Sequence, residues 1–262
     1  MKNNLRPLLK YIWITKEVWW FTSISKTKAI YAKTVIGGFW LGISNILSIS
    51  LLASIYGLVF KVTSFKFFVI YLGLGLVVWD TISSCISSSP KIFETNKSQI
   101  LNTNTNPIFF TFQEWSFHIQ NLGQSLILVL FSLSFFQYDL IFNFLKVGLI
   151  PFLNILIFMY WFPLLVSLLG IKYKDLYQLI PIALRLIFLT SPLLFERERL
   201  GDFSWISNFS LPYLYISDFR DCLISGQIII QNTFFLLIFN VIGLLFSILI
   251  YNRVKKLIPF YL

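Results

Sequence analysis

Long apolar runs alternate along the chain with short polar segments. The runs cover residues 35–60, 65–86, 112–136, 147–169, 176–195 and 228–250. A helix needs about 20 apolar residues to cross the hydrocarbon core of a bilayer, and these runs lack the two-residue alternation of a membrane barrel strand. We therefore predict an all-α integral membrane protein with six transmembrane helices. The composition, 57% hydrophobic and 12% charged, excludes a water-soluble enzyme, because soluble domains carry about 25% charged residues.

The basic residues predict the orientation of these spans. An even number of spans places both ends of the chain on one side, and that side holds fourteen Lys and Arg against six on the other. The positive-inside rule then makes both termini cytoplasmic. The net charge of +10 is thus explained by membrane orientation, without nucleic acid. Cys85 falls near the cytoplasmic end of the second span and Cys222 on the outer side, so we expect that they cannot form a disulfide within one chain.

Residues 1–34 form an amphipathic cytoplasmic segment, and residues 35–262 form the transmembrane domain. Leu5, Leu8, Leu9 and Ile12 follow helical spacing with basic residues between them, which predicts an interfacial helix. Two roles stay open for this helix, a plain membrane anchor and a gating or docking element.

The longest cytoplasmic loop, residues 87–108, contains a predicted short helix that starts at the pair Ser89–Pro90. Ile92, Phe93, Ile100 and Leu101 form an apolar stripe on it, with Glu94 and Lys97 at the rim. Such a stripe either rests on lipid or docks on a soluble partner. The polar remainder of the segment favours the partner, with Phe93 and Ile100 as its anchors.

The outer segment, residues 196–227, mixes aromatic side chains with acids and bases and is too long for an ordinary loop. We predict a half-buried segment between the fifth and sixth spans, made of two short interfacial or re-entrant helices hinged near Pro212. It serves either as a lid that only stabilises the fold or as an outer gate. The gate candidates are Trp205, Tyr213, Tyr215, Arg220 and Asp221.

Motifs for chemistry are absent from the sequence. It has no phosphate-binding loop, no zinc signature and no carboxylate cluster for magnesium, so we expect no catalytic, cofactor or metal residue in this chain. Three ionisable residues fall inside predicted spans, where charge is costly. Asp80 and Arg185 either pair with each other or line a path, and His118 is expected as a neutral imidazole between helices. The candidate path residues are Trp40, Tyr56, Trp79, Asp80 and Arg185.

Six short motifs, in order, resemble one protein family. They are Tyr31 with residues 35–40 (VIGGFW), Gly75 with Trp79, residues 170–175 (GIKYKD), residues 190–193 (TSPL), the pair at 220–221 (RD) followed by Gly226, and the basic C-terminus from Arg253 to Phe260. Together they resemble the permease subunit of bacterial polysaccharide exporters of the ABC-2 type, over nearly the whole chain.

The resemblance implies an ATP-driven exporter of a lipid-linked polysaccharide such as O antigen, capsule or teichoic acid. Two copies of this permease then form a homodimer in the cytoplasmic (inner) membrane, and ATP binds a separate nucleotide-binding ATPase subunit. That partner contacts the cytoplasmic segments, here Phe93, Glu94, Lys97, Ile100, Tyr173 and Asp175. Two alternatives are an exporter of a small hydrophobic drug and a membrane enzyme acting on polyprenyl-linked sugars, although the missing carboxylate cluster argues against the enzyme.

Overall fold

The computed structural model describes residues 5–59, 61–62, 64–103 and 105–262, without the side chains of residues 5, 6, 9 and 198–200. Positions 1–4, 60 and 104 lie outside the described residues, as do the side chains of Leu5 and Leu9. These positions fall in the predicted amphipathic segment, at the end of the first predicted span and in the loop at residues 87–108. The structure is 85% helical, and the described residues contain no strand. The all-α prediction is confirmed.

Thirteen α-helices make up the described part of the chain. They are α1 (Leu5–Ile14), α2 (Lys16–Ile30), α3 (Trp40–Val59), α4 (Phe65–Ser88), α5 (Ile92–Thr95), α6 (Lys97–Asn102), α7 (Ile108–Ser134), α8 (Leu140–Asn143), α9 (Leu149–Lys172), α10 (Leu176–Thr190), α11 (Leu211–Ser225), α12 (Ile230–Val254) and α13 (Ile258–Tyr261). Shorter 3-10 segments cover Gly37–Phe39, Ser89–Lys91 and Arg197–Phe209, and a π-helical turn, Phe144–Gly148, joins α8 to α9.

Each of the six predicted apolar runs coincides with one helix, namely α3, α4, α7, α9, α10 or α12. In the described part of the chain, four helical runs are long and apolar enough to cross a membrane: Gly37–Val59, Phe65–Thr95, Leu140–Lys172 and Ile230–Val254. The chain is therefore a multi-pass membrane protein. The α10 helix has only 15 residues, and α7 has 27 but carries several polar side chains. The count of six spans stays a prediction.

The predicted N-terminal helix is present as two helices, α1 and α2, which meet at Thr15. The α2 helix packs against α7, where the Ser23 hydroxyl donates to the Gln113 carbonyl at 2.9 Å and the Trp19 ring lies 5.5 Å from the Phe112 ring. The segment is thus docked on the bundle through specific contacts.

The α4 helix is the centre of the fold and contacts α3, α7, α9, α10 and α11. It begins after Ser64, whose hydroxyl accepts a hydrogen bond from the Phe67 amide at 3.5 Å. From Phe68 to Trp79 every side chain is buried, as expected for a helix that is apolar on all sides. Cys85 is buried in this core and Cys222 on α11 is also buried; both are free thiols, as the topology predicted.

The α10 helix ends inside the thickness of the bundle. At 1.5 Å per residue its 15 residues span about 22 Å, less than the ~30 Å hydrocarbon core. Beyond Thr190 the chain continues as a buried, non-helical segment. The Tyr71 hydroxyl is 3.1 Å from the Pro192 carbonyl and 3.2 Å from the Phe195 carbonyl. These contacts satisfy backbone groups that lipid could not.

The outer segment forms two helical pieces, as predicted. The 3-10 segment Arg197–Phe209 bends at Gly201, which has a positive φ of 51°, and α11 follows. The two pieces meet at Ser210, whose hydroxyl caps α11 by accepting from the Tyr213 amide, two residues before Pro212. Gly226 ends α11 with φ of 68°, a conformation that favours glycine. Most of α11 is buried.

The helices of the loop at residues 87–108 differ from their prediction in two respects. Ser89 does not cap a new helix, because α4 runs to Ser88 and the Ser89 hydroxyl donates to the Ile86 carbonyl at 2.8 Å. The helical path then continues through α5 and α6 rather than one helix. Phe93 is 0% exposed and Ile100 is 5% exposed. Phe93 and Ile100 thus face the protein itself, and Leu101 is the member of the predicted stripe that stays exposed.

Candidate functional site

Several helices end at one surface, on the side that the sequence predicts to be cytoplasmic, and we call it the cytoplasmic platform after that prediction. Its residues are Glu94, Lys97, Leu101, Tyr173, Lys174, Asp175, Tyr177 and Leu262. Lys174 Nζ lies 3.2 Å from Glu94 Oε1, and the Tyr177 hydroxyl donates to the other oxygen of Glu94. The Lys97 ammonium donates to the carbonyl of Leu262. The bonds from Tyr177 and then Lys174 lower the pKa of Glu94, so its carboxylate is charged at neutral pH.

The platform unites four of the six predicted coupling residues. Glu94, Lys97, Tyr173 and Asp175 are all exposed and project from neighbouring segments. Sequence reasoning missed Tyr177, which lies in the first turn of α10, four residues after Tyr173. Leu101, 47% exposed, is the large apolar side chain that this surface offers to a partner.

The expectation that Phe93 and Ile100 are exposed docking anchors is wrong. Both belong to a buried cluster at the cytoplasmic end, which also contains Ile108, Leu164 and Ile258. An anchor for a partner must be free to leave water on binding. These two side chains have already left water on folding, so they support the platform from beneath.

A half-buried polar chain links α2 to the end of α4. Lys26 Nζ lies 2.5 Å from Glu114 Oε2, and Glu114 Oε1 lies 3.6 Å from His118 Nε2. The same nitrogen of His118 is 3.1 Å from the Ser88 hydroxyl. His118 therefore bridges helices, as predicted. Glu114 was overlooked in the sequence, although an acid inside an apolar run was a sufficient signal that a partner such as Lys26 had to exist.

A groove lined by both polar and apolar side chains separates α4 from α10, in the half of the bundle that the sequence predicts to be cytoplasmic. It has a volume of about 370 Å³ and is lined by Trp79, Ser83, Ser84, Ser87, Pro181, Leu184, Arg185 and Phe188. The Trp79 ring rests on Phe188 at 5.4 Å. Asp80 lies next to the groove and is exposed, as is Arg185. No ion pair forms between Asp80 and Arg185, both of which the structure describes.

The other two path candidates lie on α3. Trp40 is 49% exposed at the start of that helix, and Tyr56 is half-buried near its end. Most of α3 faces outward, because only 17% of the residues in its apolar stretch are buried. The structure thus brings Trp79 and Arg185 together at one groove, with Asp80 beside it, and leaves Trp40 and Tyr56 on a neighbouring helix.

A hydrogen-bond network fixes the outer segment deep in the bundle. The Tyr215 hydroxyl and the Trp161 indole N–H both donate to Asn240 Oδ1, at 2.7 and 2.9 Å. The Asn240 amide donates in turn to the Asn154 carbonyl at 2.9 Å. Thr233 adds a bond of 2.9 Å to Asp218. Because these bonds join α9, α11 and α12, Tyr215 is a structural residue of the core rather than an exposed gate.

Three of the four remaining gate candidates surround a cavity of about 570 Å³ between α4, α11, α12 and the 3-10 segment, which we call the outer cavity because the predicted topology puts it on the outer side. Tyr213, Arg220 and Asp221 line it, together with Tyr71 and Arg197. Arg220 is 1% exposed, and its guanidinium carbon stacks 3.5 Å from the centre of the Tyr71 ring.

Trp205 lies apart from this cavity. It is 56% exposed on the 3-10 segment, and its ring contacts Phe209 at 5.9 Å.

Comparisons add no relative to this picture. No protein-family description matches the chain, and no curated protein is similar to it at a significant level. In the described residues, no group of three or more His, Cys, Asp or Glu side chains is placed to hold a metal ion.

Proposed function

We propose that this chain is the transmembrane subunit of an ATP-driven exporter that moves a lipid-linked polysaccharide across the bacterial cytoplasmic membrane. In this proposal α3, α4, α7, α9, α10 and α12 span the bilayer, and both termini are cytoplasmic. Two copies form the pathway, and a separate ATPase subunit supplies the energy.

The observation that carries the proposal is the groove between α4 and α10. The α4 helix is buried and apolar until Trp79, after which Asp80, Ser84 and Ser87 lie on one face at helical spacing. An exposed carboxylate and an exposed guanidinium at this depth are unfavourable against lipid, so such residues normally face a bundle interior or a water-filled path. A second copy that covers this face encloses the groove and turns it into such a path.

The cytoplasmic platform supplies the contact with the ATPase subunit. It combines the exposed apolar side chain of Leu101 with charged groups, Glu94 and Lys174, that already pair with each other. Interfaces commonly take this form, with an apolar anchor surrounded by a polar rim. The platform is joined by the buried cluster beneath it to α9 and α12, so movement of the ATPase would reach the membrane helices.

The choice of cargo is supported by where the resembling motifs lie. The motif at residues 170–175 ends at the platform, the motif at 190–193 is the buried turn after α10, and Arg220 with Asp221 lines the outer cavity. Motifs far apart in the sequence thus fall at the two ends and the middle of one bundle. A hydrophobic drug would not need charged groups along its route.

Reconstituted export tests the proposal. We would co-purify the chain with its ATPase, place the complex in proteoliposomes and measure ATP-dependent transfer of a polyprenyl-linked glycan. A Ser84→Trp variant should block the groove and abolish transfer while still binding the ATPase. The control Ser132→Trp introduces the same side chain on α7, beside aromatic side chains that are already exposed. This variant should transfer the glycan normally. Undiminished transfer by Ser84→Trp would refute the path, and transport of hydrophobic drugs in place of glycan would refute the cargo.

A further inference from the structure

We propose that the outer cavity is a binding site for a phosphate ester group, held by Arg220 and Arg197. The inference deepens the proposed function, on which its biological meaning rests, because it assigns the chemical class of the ligand at the outer end of the bundle. The cavity lies about 9 Å below the start of α4, since Tyr71 is six residues into that helix and each residue rises 1.5 Å.

Arg220 is a buried cation whose hydrogen bonds are incomplete. Its Nε lies 3.4 Å from the Asp221 carboxylate, a long contact, and its Nη1 has no hydrogen-bond partner. Burying a guanidinium with unmade bonds is costly, and an anion in the adjoining cavity would offset that cost.

The charges around the cavity favour an anion. Arg197 and Arg220 contribute two positive charges among the described lining side chains, and Asp221 contributes one negative charge. Asp218, the other acid of α11, is turned to Thr233 and does not line the cavity. A net positive charge therefore remains in a partly enclosed site, where screening by salt is weak.

The arrangement of donors favours phosphate over carboxylate. Arg197 and Asn208 lie on the 3-10 segment, Arg220 on α11 and Asn232 on α12. The Ser217 hydroxyl, also on α11, already donates to the Leu214 carbonyl and is not counted. Donors on three walls suit a tetrahedral group with several oxygens, whereas a carboxylate is satisfied by one planar fork. The volume of about 570 Å³ also exceeds what a bare phosphate fills, which leaves space for an attached sugar or glycerol beside the Tyr71 and Tyr213 rings.

Two sources carry this chemistry at the outer face, the headgroup of an anionic phospholipid and the phosphate linkage of the cargo. Both are phosphate esters, and both reach the same depth. The experiment therefore measures the shared group first with a soluble probe and then separates the sources.

The first measurement is calorimetric binding of glycerol 3-phosphate to the full-length protein in a non-ionic detergent. Replacing Arg220 by Gln should weaken binding tenfold or more, since a charged hydrogen bond is lost, and Arg197→Gln should weaken it severalfold. Asp221→Asn should strengthen binding by removing the repulsive carboxylate. The matched control Arg253→Gln, exposed near the end of α12 and outside the cavity, should bind as the wild type does.

Arg220→Gln is at risk of misfolding because the side chain is buried, so the decisive variants are Arg197→Gln and Asp221→Asn. If neither changes the affinity, or if the wild type binds glycerol and glycerol 3-phosphate equally, the site is refuted. The second measurement uses nanodiscs of phosphatidylcholine with or without phosphatidylglycerol. Competition by phosphatidylglycerol identifies the lipid as the source, and competition only by polyprenyl diphosphate-linked glycan identifies the cargo. The binding measurements contain no ATPase, so they do not depend on export. A failed export assay would refute the proposed function and leave this site standing. Absence of binding would refute this site and leave the proposed function to the export assay.

Discussion

Truncating Phe93 to Ala distinguishes a core side chain from a docking anchor. Phe93 is 0% exposed and packs in the cytoplasmic cluster with Ile108 and Leu164. Removing a buried Phe side chain costs about 3–5 kcal/mol from lost burial and the cavity that remains. At ~2–4 °C per kcal/mol for a chain of this size, the apparent unfolding midpoint of the purified protein should fall by roughly 6 °C or more. Differential scanning fluorimetry in detergent measures the shift.

The matched control is Leu101→Ala, an apolar truncation eight residues away in the same loop. Leu101 is exposed, so its truncation should change the free energy of unfolding by less than about 0.5 kcal/mol while weakening co-purification of the ATPase. An unfolding midpoint of Phe93→Ala equal to the wild type, combined with loss of the ATPase, would show that Phe93 faces the partner and that the buried cluster is incorrect.

Three further predictions concern the network, the topology and the platform. Asn240→Leu removes the acceptor shared by two buried donors and should destabilise the purified protein by roughly 2 kcal/mol, at the ~0.6–1.7 kcal/mol per hydrogen bond found in membranes. The control Asn252→Leu should not be destabilised, and equal unfolding midpoints for the two variants would refute the network. Both native thiols are buried, so the orientation of the chain is tested with two new cysteines. An impermeant maleimide should label Tyr138→Cys on intact cells and Leu257→Cys only after permeabilisation, and the reverse pattern would invert the topology. The lowered pKa of Glu94 means that its stabilising contacts are complete above the ordinary carboxyl pKa and are lost as the pH falls through the lowered value. Hydrogen exchange of Ile92–Thr95, corrected for intrinsic rates, should therefore rise only at strongly acidic pH, and the absence of any difference from Glu94→Gln would contradict this.

The helices were predictable because hydrophobicity along the chain decides them directly. Each of the six apolar runs coincides with a helix, and the break in the outer segment falls two residues before Pro212. Helix ends were less predictable. The α10 helix stops at Thr190, five residues before the end of its apolar run, because Pro192 has no amide donor and disfavours a helical Ser191, which is extended at φ −85° and ψ 141°. The proline was a local signal for this end, whereas the Tyr71 hydroxyl, 3.1 Å from the Pro192 carbonyl, comes from a distant helix and left none.

The cytoplasmic loop shows why the site was harder to predict than the fold. An apolar stripe on a short helix looks the same in the sequence whether it faces a partner or the chain's own core. Phe93 turned inward because α9, α12 and α13 bring a complementary apolar surface to the same place, and that surface depends on tertiary packing. The rim residues Glu94 and Lys97 were found, since charged groups stay in water under either arrangement.

Polar residues inside the bundle divide into two classes once their partners are known. Asn240 and His118 are buried and hydrogen-bonded to neighbouring helices, so they stabilise one arrangement and need no water. Asp80 and Arg185 are exposed and form no ion pair with each other. An exposed charged side chain within the membrane-spanning bundle is stable only beside water or another polar surface. The groove between α4 and α10 is therefore the part of this chain at which a hydrated path has a physical reason to form.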